Sequence, residues 1–145
     1  MSPMNPRPFC ESIRASVARR AGPYADGRAT AFAALAVWRR MAAQLEPVIG
    51  ARGVDALFGR ALHLTGRQHP WLATEGVRGS SAAALDHVQQ QLATQQAAQA
   101  TEAAQALLNG FTELLATMVG DALVTRLLGP AWDAPDQATA PEHTP

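Results

Sequence analysis

His63 is the residue whose type and neighbours point most directly to chemistry in this chain. It lies on an apolar-periodic segment, with Arg60 three residues before it and Arg67 four residues after it. An imidazole that accepts a phosphoryl group has to be exposed, and it needs cations that can bind phosphate oxygens. His63, with Arg60 and Arg67, is therefore a candidate phosphoacceptor site. The alternative is an ordinary surface histidine near a helix C-terminus, where the helix dipole favours the protonated ring.

The sequence Leu62-His63-Leu64-Thr65-Gly66-Arg67 resembles the phosphoacceptor region of histidine phosphotransfer domains. In those helical bundles an exposed histidine is followed by an apolar residue, a lysine and a glycine. Here the glycine comes one residue earlier and arginine follows it. Gly66 is also a suitable C-cap, which predicts that the helix ends there. The resemblance implies phosphotransfer through His63, and these departures count against it.

Other reactive residues do not form a known catalytic or metal-binding pattern. His63 and His69 are separated by a predicted helix end and a proline, and no cysteine or carboxylate joins them at ligand spacing. Cys10 has no base near it in sequence, so it is interpreted as a small apolar filler. The chain also lacks the P-loop, dinucleotide-binding and nucleophile-elbow motifs. We therefore predict a protein that is not an enzyme, with no cofactor and no metal.

The charges are distributed unevenly along a chain of zero net charge. Residues 1–67 contain ten arginines and four acidic residues, whereas residues 68–145 contain two arginines and eight acidic residues. A basic half can bind nucleic acid or an acidic partner, and residues 42–65 have the order of a helix-turn-helix. The alternative is that the arginines are solvated, or that the two halves face each other. The candidate partner surface consists of Arg14, Arg19, Arg20, Arg39 and Arg40.

One short phrase occurs twice and organises the predicted fold. Residues 55–62 and 121–128 both read D-A-L-x-x-R-x-L, and each follows an amphipathic stretch that ends in glycine, at Gly50 and Gly120. The first copy has four additional residues between the glycine and the aspartate. The phrase predicts two helical hairpins with glycine turns, related by a pseudo-repeat and packed around a pseudo-twofold axis.

Residues 82–119 are expected to form one long helix, bent or interrupted near Gly110, where glycine costs about 1 kcal/mol. The alternative is a thinly packed or disordered connector between Leu92 and Leu107. Small and apolar residues continue a heptad-like spacing through the alanine-rich middle of the segment, although the preceding leucines and valine are offset from that spacing by about one residue. Because so long a helix is hard to cover in 145 residues, we expect a homodimer. The candidate dimer seam consists of Ala93, Ala97, Ala100, Ala104 and Leu107.

The remaining patterns complete an all-α prediction of five to six helices, since no segment alternates as a half-buried strand does. A short helix is expected at 9–21, with Phe9, Ile13 and Val17 on one face, and a stronger helix at 26–49 whose Pro47 predicts either a kink or an end at Leu45. Residues 1–8 are predicted to be a flexible arm, 9–132 a single helical domain, and 133–145 a disordered, acidic, proline-rich tail.

Composition adds the expected compartment and source. The lone Cys10 agrees with a reducing environment, and no apolar segment resembles a signal peptide or a membrane span. A cytoplasmic location without membrane association is therefore expected. All twelve basic residues are arginine, which together with the abundant alanine indicates a GC-rich bacterial genome.

The segments L-E-P-V-I-G, G-V-D-A-L-F-x-R-A-L-H-L-T, P-W-L-A and E-L-L-A-T-M-V-G resemble a set of small, uncharacterised bacterial all-helical proteins. That resemblance brings no known activity. The leading hypothesis is a non-enzymatic, cytoplasmic helical interaction protein, a dimeric adaptor or regulator in bacterial signalling. The alternatives are a nucleic-acid-binding transcriptional regulator that uses the arginine-rich N-terminal half, and a phosphotransfer protein acting through His63.

Overall fold

The fold is known from a computed structural model that describes residues 8–72 and 81–133. Within these ranges the chain forms five α-helices and a single 3-10 turn, and no strand. The all-α prediction of five to six helices is therefore confirmed. The elements are α1 (Pro8–Ala21), α2 (Gly27–Gln68), the 3-10 turn (Pro70–Leu72), α3 (Ser81–Ala93), α4 (Ala97–Val119) and α5 (Asp121–Asp133).

The predicted arm and tail lie outside the described residues, except for one residue of each. Pro8 begins α1, and Asp133 ends α5. Proline is well placed at the start of a helix, because the missing N–H has no partner within the helix there. The predictions of a flexible arm and of a disordered tail otherwise stay untested.

The helix α2 is bent back on itself at Gly50. This residue has φ 84° and ψ 157°, which interrupts the helical backbone. Trp38 precedes the break in the chain and Phe58 follows it, yet the centroids of their rings are only 4.6 Å apart. In a straight helix twenty residues would separate them by about 30 Å. The first predicted glycine turn is therefore present, and the helix continues past Pro47 to reach it.

The second glycine turn has the same backbone conformation as the first. Gly120 has φ 94° and ψ 151°, and it separates α4 from α5. The helix before each glycine also begins at a matching position, with Asp26 and Gln96 as the N-caps. Both pairs are 70 positions apart (96 − 26 and 120 − 50). Such backbone angles are open almost only to glycine, which explains why both turns contain it.

Burial shows that the repeat continues beyond the glycines in the same register. Val54 and Val124 are both buried, as are Phe58 and Leu128, and Ala61 and Ala131, and the members of each pair are 70 positions apart. The list of matching buried pairs also includes Leu45 with Leu115, Met41 with Phe111, and Leu62 with Trp132. The described chain thus contains two units of like construction, each with a short helix, a longer helix, a glycine turn and a last helix.

The register of this repeat differs from the one that the D-A-L-x-x-R-x-L phrase indicates. The phrase aligns Asp55 with Asp121, which requires four additional residues in the first copy. In the structure Asp121 directly follows its glycine, whereas Asp55 is well inside the last helix of its unit. Four residues turn a helix by about 400°, so the two registers differ by only about 40° around the axis. The apolar faces therefore match almost as well in either register.

The predicted long helix at 82–119 is wrong, because two helices cover this segment. The chain leaves α3 after Ala93 and begins α4 at Ala97. Thr94 Oγ1 donates to the carbonyl of Gln91 at 2.8 Å, and the Gln95 amide donates to the carbonyl of Leu92 at 3.1 Å. These local bonds end α3. The next helix, α4, runs through Gly110 without a break. The longest helix of the described residues is the bent α2.

The core lies where the two longer helices pack against each other. Trp38 of α2 contacts Phe111 of α4 edge-to-face, with a centroid distance of 4.6 Å. On α1, Phe9, Ile13 and Val17 are buried, as their shared face predicted. Phe32 of α2 does not belong to this core, since its side chain is 66% exposed.

Gly27 allows a close approach of backbone between the two units. A Cβ built on it would overlap the carbonyl oxygen of Gln95 and would lie 3.0 Å from that of Leu92. The start of α2, the positive end of the helix dipole, therefore packs directly on the carbonyl end of α3. Only a residue without a side chain fits this contact.

We expect Gly27→Ala to lower the free energy of unfolding by about 1–3 kcal/mol, because the added methyl overpacks backbone that cannot rotate away. Gly59→Ala is the matched control. Gly59 is exposed on α2 and has open space around a built Cβ, so alanine should raise stability by about 0.5–1 kcal/mol. Urea unfolding followed by circular dichroism measures both. Equal effects of the two substitutions would contradict the close contact.

We expect Gly50→Ala and Gly120→Ala each to lower the free energy of unfolding by about 1–3 kcal/mol, because alanine is strained at these backbone angles. Neither position has an atom within 4 Å of a built Cβ, so the loss would come from conformation alone. Because the two turns are equivalent, the losses should be similar. A large effect at one glycine and none at the other would argue against equivalent turns.

Candidate functional site

The structure places the three residues of the candidate phosphoacceptor site on one uninterrupted helical segment. His63, Arg60 and Arg67 are all exposed. The predicted helix end at Gly66 is wrong, because α2 continues to Gln68 and is capped by His69, whose amide donates to the carbonyl of Thr65 at 2.9 Å. Both arginines therefore lie one helical turn from His63, as positions i−3 and i+4 require.

Arginines of the candidate partner surface have partners within the protein, Arg14 and Arg19 among them. Arg14 forms an ion pair with Glu11, one turn away on α1. The Arg19 guanidinium donates to the carbonyl oxygen of Trp132 at 2.8 Å, near the end of α5. A cation at the C-terminus of a helix satisfies a carbonyl that has no helical partner. Arg19 thus links the first helix to the last.

The other three arginines do not form one exposed cationic surface. Arg20 and Arg40 are half-buried. Arg39 is exposed, but it lines a pocket of about 300 Å³ together with Glu46 and Asp55. Carboxylates beside an arginine weaken its attraction for phosphate groups. The structure therefore offers little support for a nucleic-acid surface at these five positions.

The candidate dimer seam is largely used inside the protein. Ala100, Ala104 and Leu107 are buried by the chain's own helices, at no more than 5% exposure. Ala93 and Ala97 are half-buried, one on each side of the break between α3 and α4. The alanines serve as small residues that let helices approach within the core, so the seam no longer supports a dimer.

The most distinctive surface feature is a groove between the second half of α2 and α4, which we call the α2–α4 groove. It consists of two adjoining parts, of about 670 Å³ and 540 Å³, which share Leu114 and Thr117. Every residue that lines it belongs to one of these two helices. The first part is lined by Ile49, Gly53, Ala56, Leu57, Arg60, Leu114, Thr117 and Met118, and the second by Leu64, Thr65, Gln68, Ala106, Asn109, Gly110, Glu113, Leu114 and Thr117.

The part of the groove next to Met118 is largely apolar, the other part also contains Gln68 and Asn109, and the two walls carry opposite charges. Met118, at one end of the groove, is 65% exposed. Arg60 lies on the α2 wall and Glu113 on the α4 wall. Neither side chain has an ion-pair partner among residues 8–72 and 81–133. The groove therefore presents apolar surface with one unpaired charge of each sign.

Sequence reasoning missed this groove, although its residues left a signal. Gly53 and Ala56 are three residues apart on α2, and Ala106 and Gly110 are four residues apart on α4. Small residues at these spacings lie on one face of a helix and leave that face shallow. The low helix propensity of Gly110 predicts a helix break, and it draws attention away from the face that Gly110 shares with Ala106.

The described residues contain neither a metal-binding cluster nor a membrane-spanning helix. No group of three or more histidine, cysteine, aspartate or glutamate side chains in this part of the chain is placed to hold a metal ion. None of its helices combines the length and the apolar character needed to cross a bilayer.

Comparison with known proteins does not extend this description. No family model matches the chain, and neither does any curated protein or any solved structure. Function is therefore inferred from the geometry of the helices.

We expect Arg19→Met to lower the free energy of unfolding by about 0.5–1.5 kcal/mol, because it removes the bond to the Trp132 carbonyl while keeping a side chain of similar length. Arg39→Met should change stability by less than about 0.5 kcal/mol, since Arg39 is exposed and makes no hydrogen bond or ion pair with the described residues. Thermal or urea unfolding distinguishes the two. Similar small effects would show that the Arg19 contact contributes nothing to stability.

Proposed function

We propose that this protein is a non-enzymatic helical interaction protein that binds a protein partner in the α2–α4 groove. The observation that carries the proposal is an apolar groove, open to solvent, between two helices. Its two parts fall within the range of about 300–1,000 Å³ that is typical of binding pockets.

Burial of the groove supplies the driving force. Ile49, Leu57 and Leu114 are half-buried, so each keeps apolar area that a partner can cover. Removing apolar area from water is favourable by about 25 cal/mol per Å². Met118 adds an adaptable thioether at the open end of the groove, which suits a surface that receives another side chain.

This proposal keeps the interaction-protein hypothesis but changes its location. The sequence predicts an alanine seam between two copies, but these alanines are largely buried within one chain. The α2–α4 groove is open to solvent and replaces the seam as the proposed binding surface. A role as a cytoplasmic adaptor or regulator in bacterial signalling remains part of the proposal. A dimer remains possible only through a surface other than the seam, so the oligomeric state is measured in the same experiment.

The two alternative functions have less support. Phosphotransfer gains from the continuous helix around His63, but no second residue of the described chain contacts the imidazole in a way that would activate it. Nucleic-acid binding loses support because Arg14 and Arg19 have internal partners and Arg39 has acidic neighbours.

The test uses a side chain that fills the groove without entering the core. Gly110 lines the groove, and a Cβ built on it meets no atom within 4 Å. We expect Gly110→Trp to remove at least about nine-tenths of the partner protein that tagged wild type recovers from native lysate, since loss of 1.4 kcal/mol is a tenfold loss of affinity. Gly59→Trp, on an exposed part of α2 outside the groove, should recover as much as wild type.

Circular dichroism confirms that both variants are folded, and light scattering gives the oligomeric state of each. Nuclease treatment of the lysate removes partners held only through nucleic acid. Undiminished recovery by folded Gly110→Trp would overturn the proposal.

A further inference from the structure

We infer that the occupant of the α2–α4 groove is an amphipathic α-helix of a partner protein, with an acidic side chain against Arg60 and a basic side chain against Glu113. The inference rests on the proposed function and names the partner's chemistry. It follows from the shape of the groove, from its floor and from the charges on its walls.

The shape fits a helix because the groove is elongated along two helices that bound it. On α4 it extends from Ala106 to Met118, which corresponds to about 18 Å of helix. On α2 it extends from Ile49 to Gln68. A partner helix of three to four turns would cover this length, and the space between two helices is where a third helix packs.

The floor allows a helix to approach closely. Gly53 and Ala56 on one side, and Ala106 and Gly110 on the other, leave little side-chain volume beneath the occupant. Leu57 and Leu114 supply apolar contact between these small residues. A partner with apolar residues at positions i, i+3, i+4 and i+7 would present a matching stripe.

The walls define what flanks that stripe. Arg60 belongs to the part of the groove that contains Met118, and Glu113 belongs to the part that contains Leu64, one helical turn further along α2. The charges therefore lie on opposite walls. A partner helix with two acidic flanks would be repelled by Glu113, and one with two basic flanks would be repelled by Arg60. One flank of each sign satisfies both walls.

The experiment selects phage-displayed helical peptides of sixteen residues on immobilised full-length protein. The peptides share a leucine stripe at i, i+3, i+4 and i+7, and their flanking positions vary among glutamate, lysine and glutamine. We expect wild type to enrich peptides with one acidic and one basic flank about tenfold over peptides with two flanks of one sign, as like-charge contacts are unfavourable.

Single charge reversals make the selection specific to the two wall residues. Arg60→Glu makes both walls acidic, so two basic flanks should be enriched. Glu113→Arg makes both walls basic, so two acidic flanks should be enriched. This outcome does not depend on the direction in which the peptide lies. Gly110→Trp should enrich none of the peptides, and Gly59→Trp should select as wild type does.

Each result separates this inference from the proposed function. If Gly110→Trp abolishes capture of the native partner while charge reversal leaves the selected flanks unchanged, the groove is the binding site and the inference about charge is wrong. If wild type enriches no peptide, the helical occupant is wrong. If wild type is also a dimer that Gly110→Trp dissociates, a second copy of the chain occupies the groove.

Discussion

The contact of Trp38 with Phe58 and Phe111 joins the parts of the fold that sequence order keeps apart. Phe58 reaches Trp38 only because α2 reverses at Gly50, and Phe111 reaches it because α4 packs on the first half of α2. Ring pairs of this kind contribute roughly 0.5–1.5 kcal/mol beyond the area that they bury. With Trp38 in place, the short helices α1, α3 and α5 have a fixed surface on which to pack.

The helices and their buried faces could be predicted from the sequence, because apolar periodicity records which face of a helix lies in the core. The stripe of Phe9, Ile13 and Val17 on α1 is an example. The sequence also contains a signal for the break between α3 and α4, because the apolar pattern shifts by one residue after Leu92. High helix propensity on both sides of this position nevertheless predicts a continuous helix. A break needs only local bonds such as that from Thr94, which propensity does not register.

The site was much less predictable, for a physical reason. A binding groove forms where the facing sides of two helices have little side-chain volume. A sequence does not show which sides of two helices face each other. Gly53 and Gly110 gave no chemical signal until the bend at Gly50 brought the second half of α2 alongside α4. The side chains of His63 and the arginines indicate candidate sites in the sequence because they are chemically distinctive. In the structure, however, Arg14 and Arg19 have internal partners.

The repeat has a further consequence for how many partners one chain can hold. In a dimer of identical chains, any change to a surface appears twice, whereas two units within one chain can change separately. The counterpart of Gly53 in the second unit is Leu123, and the counterpart of Arg60 is Pro130. A leucine that is 39% exposed stands where the groove has an open floor, and the cation of the wall is lost. The described residues thus contain two similar halves of scaffold but only one copy of this groove, so a partner that binds as proposed meets a single, oriented site.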